Sequence, residues 1–419
     1  MDSKLRVVVM QDGARLHYAM ARAIKRAGML AGLYTDWYND GSFQARALLR
    51  VAGALRPDLA GRMRERGCAE LRGVAIFDHK ISSLIGQGII RWAGWENPLL
   101  RLIWKFQGWK TLSCTPLAKG SAAVDAVLAI AFMLSPAACR RLQRRGIRVV
   151  ADQPIAAVGE GIRQCDLAAQ RWPGWEAAHG GRGGAEAVLR WARAEAALFF
   201  AVDHLTCASG YVRDSMIAAG VAPEKISVVP YPADTAAYVA LDRSGRTGAV
   251  TVGFVGAVGL RKGAPWFLEV AKRCDAKLVK FVMVGAVQVT DYGREQLRER
   301  VELVGPVPRS EVRDWLGRFD IFLFPSTCEG SAGAVMEAMA TRLPIIASPN
   351  SGTVVRDGVD GWIVPYDQPE IMAQRVMELA KDEEKRLAMG RAARRRAEEF
   401  DIDYYSRELA ALLHRVCGK

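Results

Sequence analysis

Two glutamates, Glu329 and Glu337, flank a turn of small residues in the stretch Pro325-Ser326-Thr327-Cys328-Glu329-Gly330-Ser331-Ala332-Gly333-Ala334-Val335-Met336-Glu337. The apolar run Phe322-Leu323-Phe324 leads in and a helical pattern opens near Gly333, so the stretch reads as strand, turn and helix. Small residues at such a turn leave backbone N–H groups accessible at the positive end of a helix dipole, a setting suited to a diphosphate. Carboxylates on either side of it can accept hydrogen bonds from sugar hydroxyls. The same residues also fit glutamates that only cap or solvate the turn, and the residue types alone leave the two readings level.

The elements that must hold these groups alternate short apolar strands with longer helical stretches, the mark of a parallel α/β architecture. Strand patterns fall at 5–10, 124–130, 147–151, 205–208 and 226–229, with a helix expected from the turn at Gln11-Asp12-Gly13-Ala14 to about Ala27. The small, polar stretch 240–248 reads as a linker. The pattern then restarts with strands at 250–255, 279–284, 301–303, 321–324 and 344–347. Two βαβ series in 419 residues predict two Rossmann-like domains facing across a cleft, with the ligand between the strand C-termini. The expected boundaries are 1–242, 249–399 and a C-terminal helix at 400–419.

Charge divides the chain unevenly. Residues 1–250 carry 33 Lys/Arg against 21 Asp/Glu, 251–419 are close to neutral, and 44–150 alone hold 18 against 6. This imbalance predicts an anionic partner for the first half, such as an acidic acceptor, a phospholipid surface or nucleic acid. Within it, Trp92, Trp95, Leu99, Leu102, Phe106 and Trp109 recur at helical spacing among Arg91, Arg101, Lys105 and Lys110. That pattern fits either a membrane-interface helix or a core helix. The N-terminus lacks a signal-peptide pattern and no apolar run is long enough to span a bilayer, so a cytoplasmic chain is expected. Eight scattered cysteines without a C-x-x-C pair read as reduced thiols, with Cys328 a small buried filler. His17 and His79 are lone histidines, read as structural.

The segment around Glu329 and Glu337 resembles the E-x7-E motif of the retaining family-4 glycosyltransferases of GT-B fold, in the form E-G-S-A. Phe254-Val255-Gly256-Ala257-Val258-Gly259-Leu260-Arg261-Lys262-Gly263 resembles that family's donor-diphosphate loop. Residues 301–306, Ser351-Gly352 and 357–361 fit its later landmarks, and Ser209, Gly220 and 228–234 its domain-closing segment. The likeness runs from about residue 195 to 415. It implies that Glu329 holds hydroxyls of the transferred sugar and Glu337 the ribose of the nucleotide. Arg261 and Lys262 would neutralise the diphosphate, assisted by the backbone amides of Ser331, Ala332 and Gly333. Gly13 would belong to a glycine-bearing loop at the site, and the C-terminal helix would cross back to the first domain. The implied reaction moves a sugar from a UDP- or GDP-sugar, as donor substrate rather than cofactor, to a hydroxyl of a glycan or lipid-linked acceptor with retention. Cell-surface polysaccharide or glycolipid synthesis is the implied setting, peripheral to the inner membrane face through residues 44–150.

The chain departs from the family pattern at three places. Ala257 stands where the family often has an arginine, so Arg261 must compensate. Pro232-Ala233 replaces a usual glycine. Asp152-Gln153-Pro154 follows the 147–151 strand where the family commonly has a histidine, which makes Asp152 either a catalytic-loop residue or a turn former before Pro154. Asp401-Ile402-Asp403, a D-x-D pattern, opens an amphipathic helix and reads as its cap, so no metal is expected. A dehydrogenase is disfavoured because the spacing at Gly253, Gly256 and Gly259 is not G-x-G-x-x-G. A nucleic-acid binder lacks a recognised motif and nucleic acid is not expected as partner. A same-fold epimerase or phosphorylase, or a basic membrane-binding protein without catalysis, stays open.

Overall fold

The computed structural model describes residues 5–55, 57–80, 124–176, 185–238 and 240–419. The Trp-rich stretch at 92–109 lies outside them. Among the described residues, strands β1 (Val7–Met10), β2 (Leu30–Thr35), β3 (Ile76–Asp78), β4 (Ala126–Ile130), β5 (Arg148–Gln153), β6 (His204–Cys207) and β7 (Ile226–Val228) form one parallel sheet in the order β3-β2-β1-β4-β5-β6-β7. A second parallel sheet, β10-β9-β8-β11-β12-β13, uses β8 (Val250–Val255), β9 (Val279–Val284), β10 (Val301–Gly305), β11 (Ile321–Phe324), β12 (Ile345–Ala347) and β13 (Gly361–Ile363). β1, β4 and β11 are wholly buried apolar runs and β8 departs from this only at Thr251, as expected of central strands covered on both faces by helices.

Both orders reverse direction once, between β1 and β4 in the first sheet and between β8 and β11 in the second. Loops leaving two such strands diverge to opposite faces and open a crevice at their carboxyl ends. The Glu329 turn follows β11 and the Arg261-Lys262 turn follows β8, so the second crevice lies between the two motifs singled out above.

The Ile402–Cys417 helix returns to the first domain, as the resemblance implied. Tyr405, Leu409, Leu412 and Leu413 share one core with Val7, Val9 and Ile24, and Ser406 Oγ donates to the Ala23 carbonyl at 2.7 Å. Asp401 accepts from the Tyr404 N–H at 2.6 Å and Asp403 pairs with Arg26 at 2.6 Å, so both carboxylates of the D-x-D serve the helix start and its docking.

Two features differ from the sequence reading. The first helix begins only at Ala19, because Leu16, His17 and Tyr18 adopt left-handed backbone (φ 47°, 51° and 59°) that drops the Tyr18 ring into the core beside Tyr38. The Val158–Arg171 helix, placed in sequence between β5 and β6, packs on the second domain: Ala168 and Trp175 enter its core, and Trp172 meets Trp266 edge-on at 5.7 Å. Its periodicity is that of any amphipathic helix and carries no address.

Candidate active site

The β8 loop makes a tight turn at Leu260–Lys262 and ends at Gly263 in left-handed backbone (φ 80°). A Cβ at Gly263 would lie 1.9 Å from the Pro325 carbonyl oxygen, so only glycine lets this loop meet the end of β11. The Arg261 carbonyl then accepts from the Thr327 N–H (2.9 Å), Ser326 Oγ (3.0 Å) and Thr327 Oγ1 (3.1 Å). This locks the cation-bearing turn to the glutamate-bearing one. Arg261 Nη1 and Lys262 Nζ both lie 2.6 Å from Glu329 Oε1, which also accepts from Ser326 Oγ at 3.1 Å. Burial lowers the Lys262 pKa from the ordinary lysine value, against the opposing pull of the Glu329 charge. Cys328 is buried beside Glu329, and burial pushes its thiol up to about 11, consistent with a filler.

Glu337 is held separately. Arg309 grips both of its carboxylate oxygens and also donates to the Tyr238 hydroxyl at 3.2 Å. Neither Arg309 nor Tyr238 was anticipated, since both come from loops distant in sequence with no motif of their own. A cleft of about 1080 Å³ opens here between the domains. Ser331, Gly333, Glu337 and Arg309 line one wall, and Ala14, His17 and Arg66 the other. Arg261, Lys262 and Glu329 are not on that wall. The single diphosphate-and-sugar site expected from the sequence is thus two adjacent clusters joined by the 329–333 turn.

The amide-bearing turn is narrower than expected. Ala332 is buried and its N–H donates to the Ser351 carbonyl at 3.1 Å, so it is spent on the fold. Ser331 and Gly333 lie on the cleft wall at the start of the Gly333–Ala340 helix, where first-turn N–H groups have no intrahelical partner. Gly13 adopts φ 67° and donates its N–H to Asp36 Oδ1 at 2.8 Å, so its neighbour Ala14 is the residue on the wall. His17, read as structural, stands on the wall as well.

Asp152 is neither in a turn nor on the cleft. It sits within β5 in register with Thr206, is 2% exposed, and accepts from Thr206 Oγ1 at 2.8 Å and the Tyr231 hydroxyl at 2.5 Å. Tyr231 does line the cleft and opens the segment toward the second domain, where the Ala233 N–H donates to the Phe400 carbonyl at 2.7 Å. Asp152 thus touches Tyr231, which lines the cleft.

A further titrating group stands in the β1 loop. Lost hydration and then repulsion from the Asp36 carboxylate push Asp12 up to about 7, partly offset by Arg66, which pairs with Asp36 at 2.6 Å. Asp12 is itself exposed to solvent, so the Asp36 repulsion, more than lost hydration, is the part expected to persist in solution. A carboxyl raised in the folded state binds its proton there more tightly than in the unfolded chain. Stability contributed by that proton is present at low pH and lost as pH climbs from the ordinary carboxyl range through about 7. Melting temperature should fall across that window in the wild type and less steeply in Asp12→Asn; equal slopes would mean that Asp12 titrates normally.

Two facing Rossmann-like domains, each with a crevice at the switch point of its parallel sheet, make this a GT-B fold. Residues 249–382, within the second domain, match the family model described as Glycosyl transferases group 1. Over 129 residues the chain is 35% identical to the amylovoran biosynthesis glycosyltransferase AmsK of Erwinia amylovora, covering 29% of this chain and 32% of AmsK. It is 34% identical over 131 residues to the putative colanic acid biosynthesis glycosyltransferase WcaL of Escherichia coli, with the same coverage. The matched stretch thus spans about a third of the length of these curated relatives. The fold as a whole is similar to HepE of Anabaena in complex with UDP-glucose (TM-score 0.60, 14% identity, 98% of this chain and 100% of that one). It is equally similar to sucrose-phosphate synthase of Thermosynechococcus elongatus (0.60, 14%, 99% and 100%). Among the described residues, no helix is long and apolar enough to cross a membrane.

Proposed function

We propose that the protein transfers a sugar from a UDP- or GDP-sugar to a hydroxyl of a glycan or lipid-linked acceptor with retention of configuration, in cell-surface polysaccharide or glycolipid synthesis. The observation that carries this reading is the convergence of Arg261 and Lys262 on Glu329, one turn away from the amide-bearing helix start at Gly333. Breaking a sugar–phosphate bond builds negative charge on the departing diphosphate, and fixed cations aimed at that charge stabilise the transition state. A diphosphate entering at 331–333 competes with Glu329 for the two cations and frees its carboxylate for sugar hydroxyls. Glu337 is the ribose ligand, sharing or releasing Arg309 when the nucleotide binds.

The names of the relatives support the polysaccharide setting, and the UDP and UDP-glucose bound to HepE support the donor class. Retention rests on the E-x7-E resemblance. Arg261 and Lys262 supply the charge that a metal provides in other transferases, so transfer should survive chelation. The basic first half suits an acidic or lipid-linked acceptor at the inner membrane face, which flotation with anionic vesicles tests.

A thermal-shift panel of UDP, GDP, ADP and their sugars tests the donor reading directly. A ligand bound in the cleft at a hundredfold excess over its Kd adds about 2.7 kcal/mol of apparent stability, an easily read upward shift. Lys262→Ala should weaken the stabilising nucleotide by about 10-fold or more, through loss of a charge-assisted contact. No shift with any of these compounds would sink the transferase reading.

A further inference from the structure

We propose that Glu176 is a positioning residue for the donor diphosphate: it fixes the turn that carries both cations, so the first half of the chain sets the donor site of the second. The inference rests on the diphosphate reading above.

Glu176 Oε1 accepts from the Leu260 N–H at 2.6 Å. A Cβ at Gly259 would stand only 3.0 Å from the same oxygen, so the carboxylate lies directly against the backbone that opens the Leu260–Lys262 turn. A charge-assisted bond of this length to a backbone donor is among the stronger neutral-to-ion contacts a protein makes. The other end of the turn is held from the second domain, by the three donors that converge on the Arg261 carbonyl. Arg261 and Lys262 therefore sit on a short backbone clamped at both ends. One clamp belongs to the glutamate loop of the second domain, and the other arrives from residue 176.

The delivery of Glu176 is itself built. Trp175 is buried in the second core, and Trp172 packs edge-on against both Trp175 (5.8 Å) and Trp266 (5.7 Å). The Trp175 carbonyl accepts from the Thr290 N–H at 2.8 Å, and the Gly174 carbonyl from Thr290 Oγ1 at 2.5 Å. The five residues 172–176, which follow the Val158–Arg171 helix, are thus pinned to the second domain by aromatic packing and backbone hydrogen bonds, and Glu176 reaches the loop from there. An acid placed beside two cations would ordinarily be expected to pair with them. Glu176 is instead spent on a main-chain N–H, which leaves the charges of Arg261 and Lys262 to Glu329 and, in the bound state, to the diphosphate.

The test is a calorimetric comparison of UDP with uridine, or GDP with guanosine where the panel selects it, on the full chain. Glu176→Ala should weaken the nucleoside diphosphate by about 10-fold while leaving the nucleoside within about 2-fold, because only the diphosphate meets the clamped turn. Glu176→Gln keeps an acceptor oxygen at the same reach and should restore diphosphate affinity to within about 3-fold of wild type. Glu176→Asp, one methylene shorter, should reproduce the diphosphate-specific loss and serves in its place should the alanine variant not fold. In a Lys262→Ala background, Glu176→Ala should add little, since the two act as a unit. Equal losses for diphosphate and nucleoside, or full additivity with Lys262→Ala, would reduce Glu176 to a structural strut and overturn the inference. Wild type that binds no nucleoside diphosphate at all would instead overturn the donor reading and take this inference with it.

Discussion

Glu329→Gln should bind the nucleoside diphosphate more tightly than wild type and yet transfer sugar far more slowly. The opposing signs follow from a geometry in which one carboxylate oxygen takes both Arg261 and Lys262 at 2.6 Å. An incoming diphosphate must displace that carboxylate, so removing its charge removes the competitor and should improve affinity by about 10-fold. On the proposed reading the displaced carboxylate then orients the sugar, and loss of a group acting at the reacting centre should cost on the order of 100- to 1,000-fold in kcat. The variant also leaves Lys262 facing a neutral amide in a buried spot, while Arg261 is 42% exposed, so the cost falls below the roughly 3–5 kcal/mol of breaking a fully buried pair. The unliganded variant should therefore melt several degrees lower, with a larger upward shift on adding UDP or GDP than wild type shows. Calorimetry for affinity and steady-state kinetics for transfer, run on the same preparation, read both arms. Affinity that falls along with kcat would mean that Glu329 never competes with the diphosphate.

Much of this site was legible in the residues because its chemistry is local. Strand, turn and helix around Glu329 and Glu337 are contiguous, and the Arg261-Lys262 turn is punctuated by glycines whose need the structure makes plain: at Gly263 any side chain would strike Pro325. Parallel strands with buried apolar runs likewise declare themselves, and the restart at Val250 marks the second sheet. What stayed illegible is what depends on contacts distant in sequence. Arg309 meets Glu337 across 28 positions, and Glu176 meets Leu260 across 84. Asp152 had the spacing of a loop residue, but pairing between β5 and β6 draws it into the sheet, where Thr206 and Tyr231 satisfy its oxygens. The left-handed run at Leu16, His17 and Tyr18 is likewise set by the burial of Tyr18, against the local helical preference.

The glycine beside Glu329 yields the other large effect. A Cβ at Gly330 would lie 1.8 Å from the Pro154 carbonyl oxygen and 3.0 Å from Ile155 Cα, so the glutamate loop of the second domain touches the backbone after β5 of the first with no room for a methyl group. Ser209, the cap of the Gly210–Ala218 helix, donates its hydroxyl to the Gly330 carbonyl at 2.5 Å, and a Cβ at Gly352 would lie 2.2 Å from that same carbonyl oxygen. Gly330→Ala must therefore push the loop away from the first domain, since what it strikes is backbone and not the end of a flexible side chain. Each core is built without this contact, so the chain should fold with only a modest loss of melting temperature. Transfer, in contrast, should fall by about 100-fold or more, because a displacement near 1 Å of a group at the reacting centre is enough for that. Gly210→Ala, at a position where a Cβ meets nothing within 4 Å, should stay close to wild type and controls for handling. Activity of Gly330→Ala within about 3-fold of wild type would show that the working enzyme does not bring its domains together at this seam. Loss of transfer with nucleotide affinity kept would place the seam in the chemical step, with the contact at Gly330 aligning Glu329 rather than holding the donor.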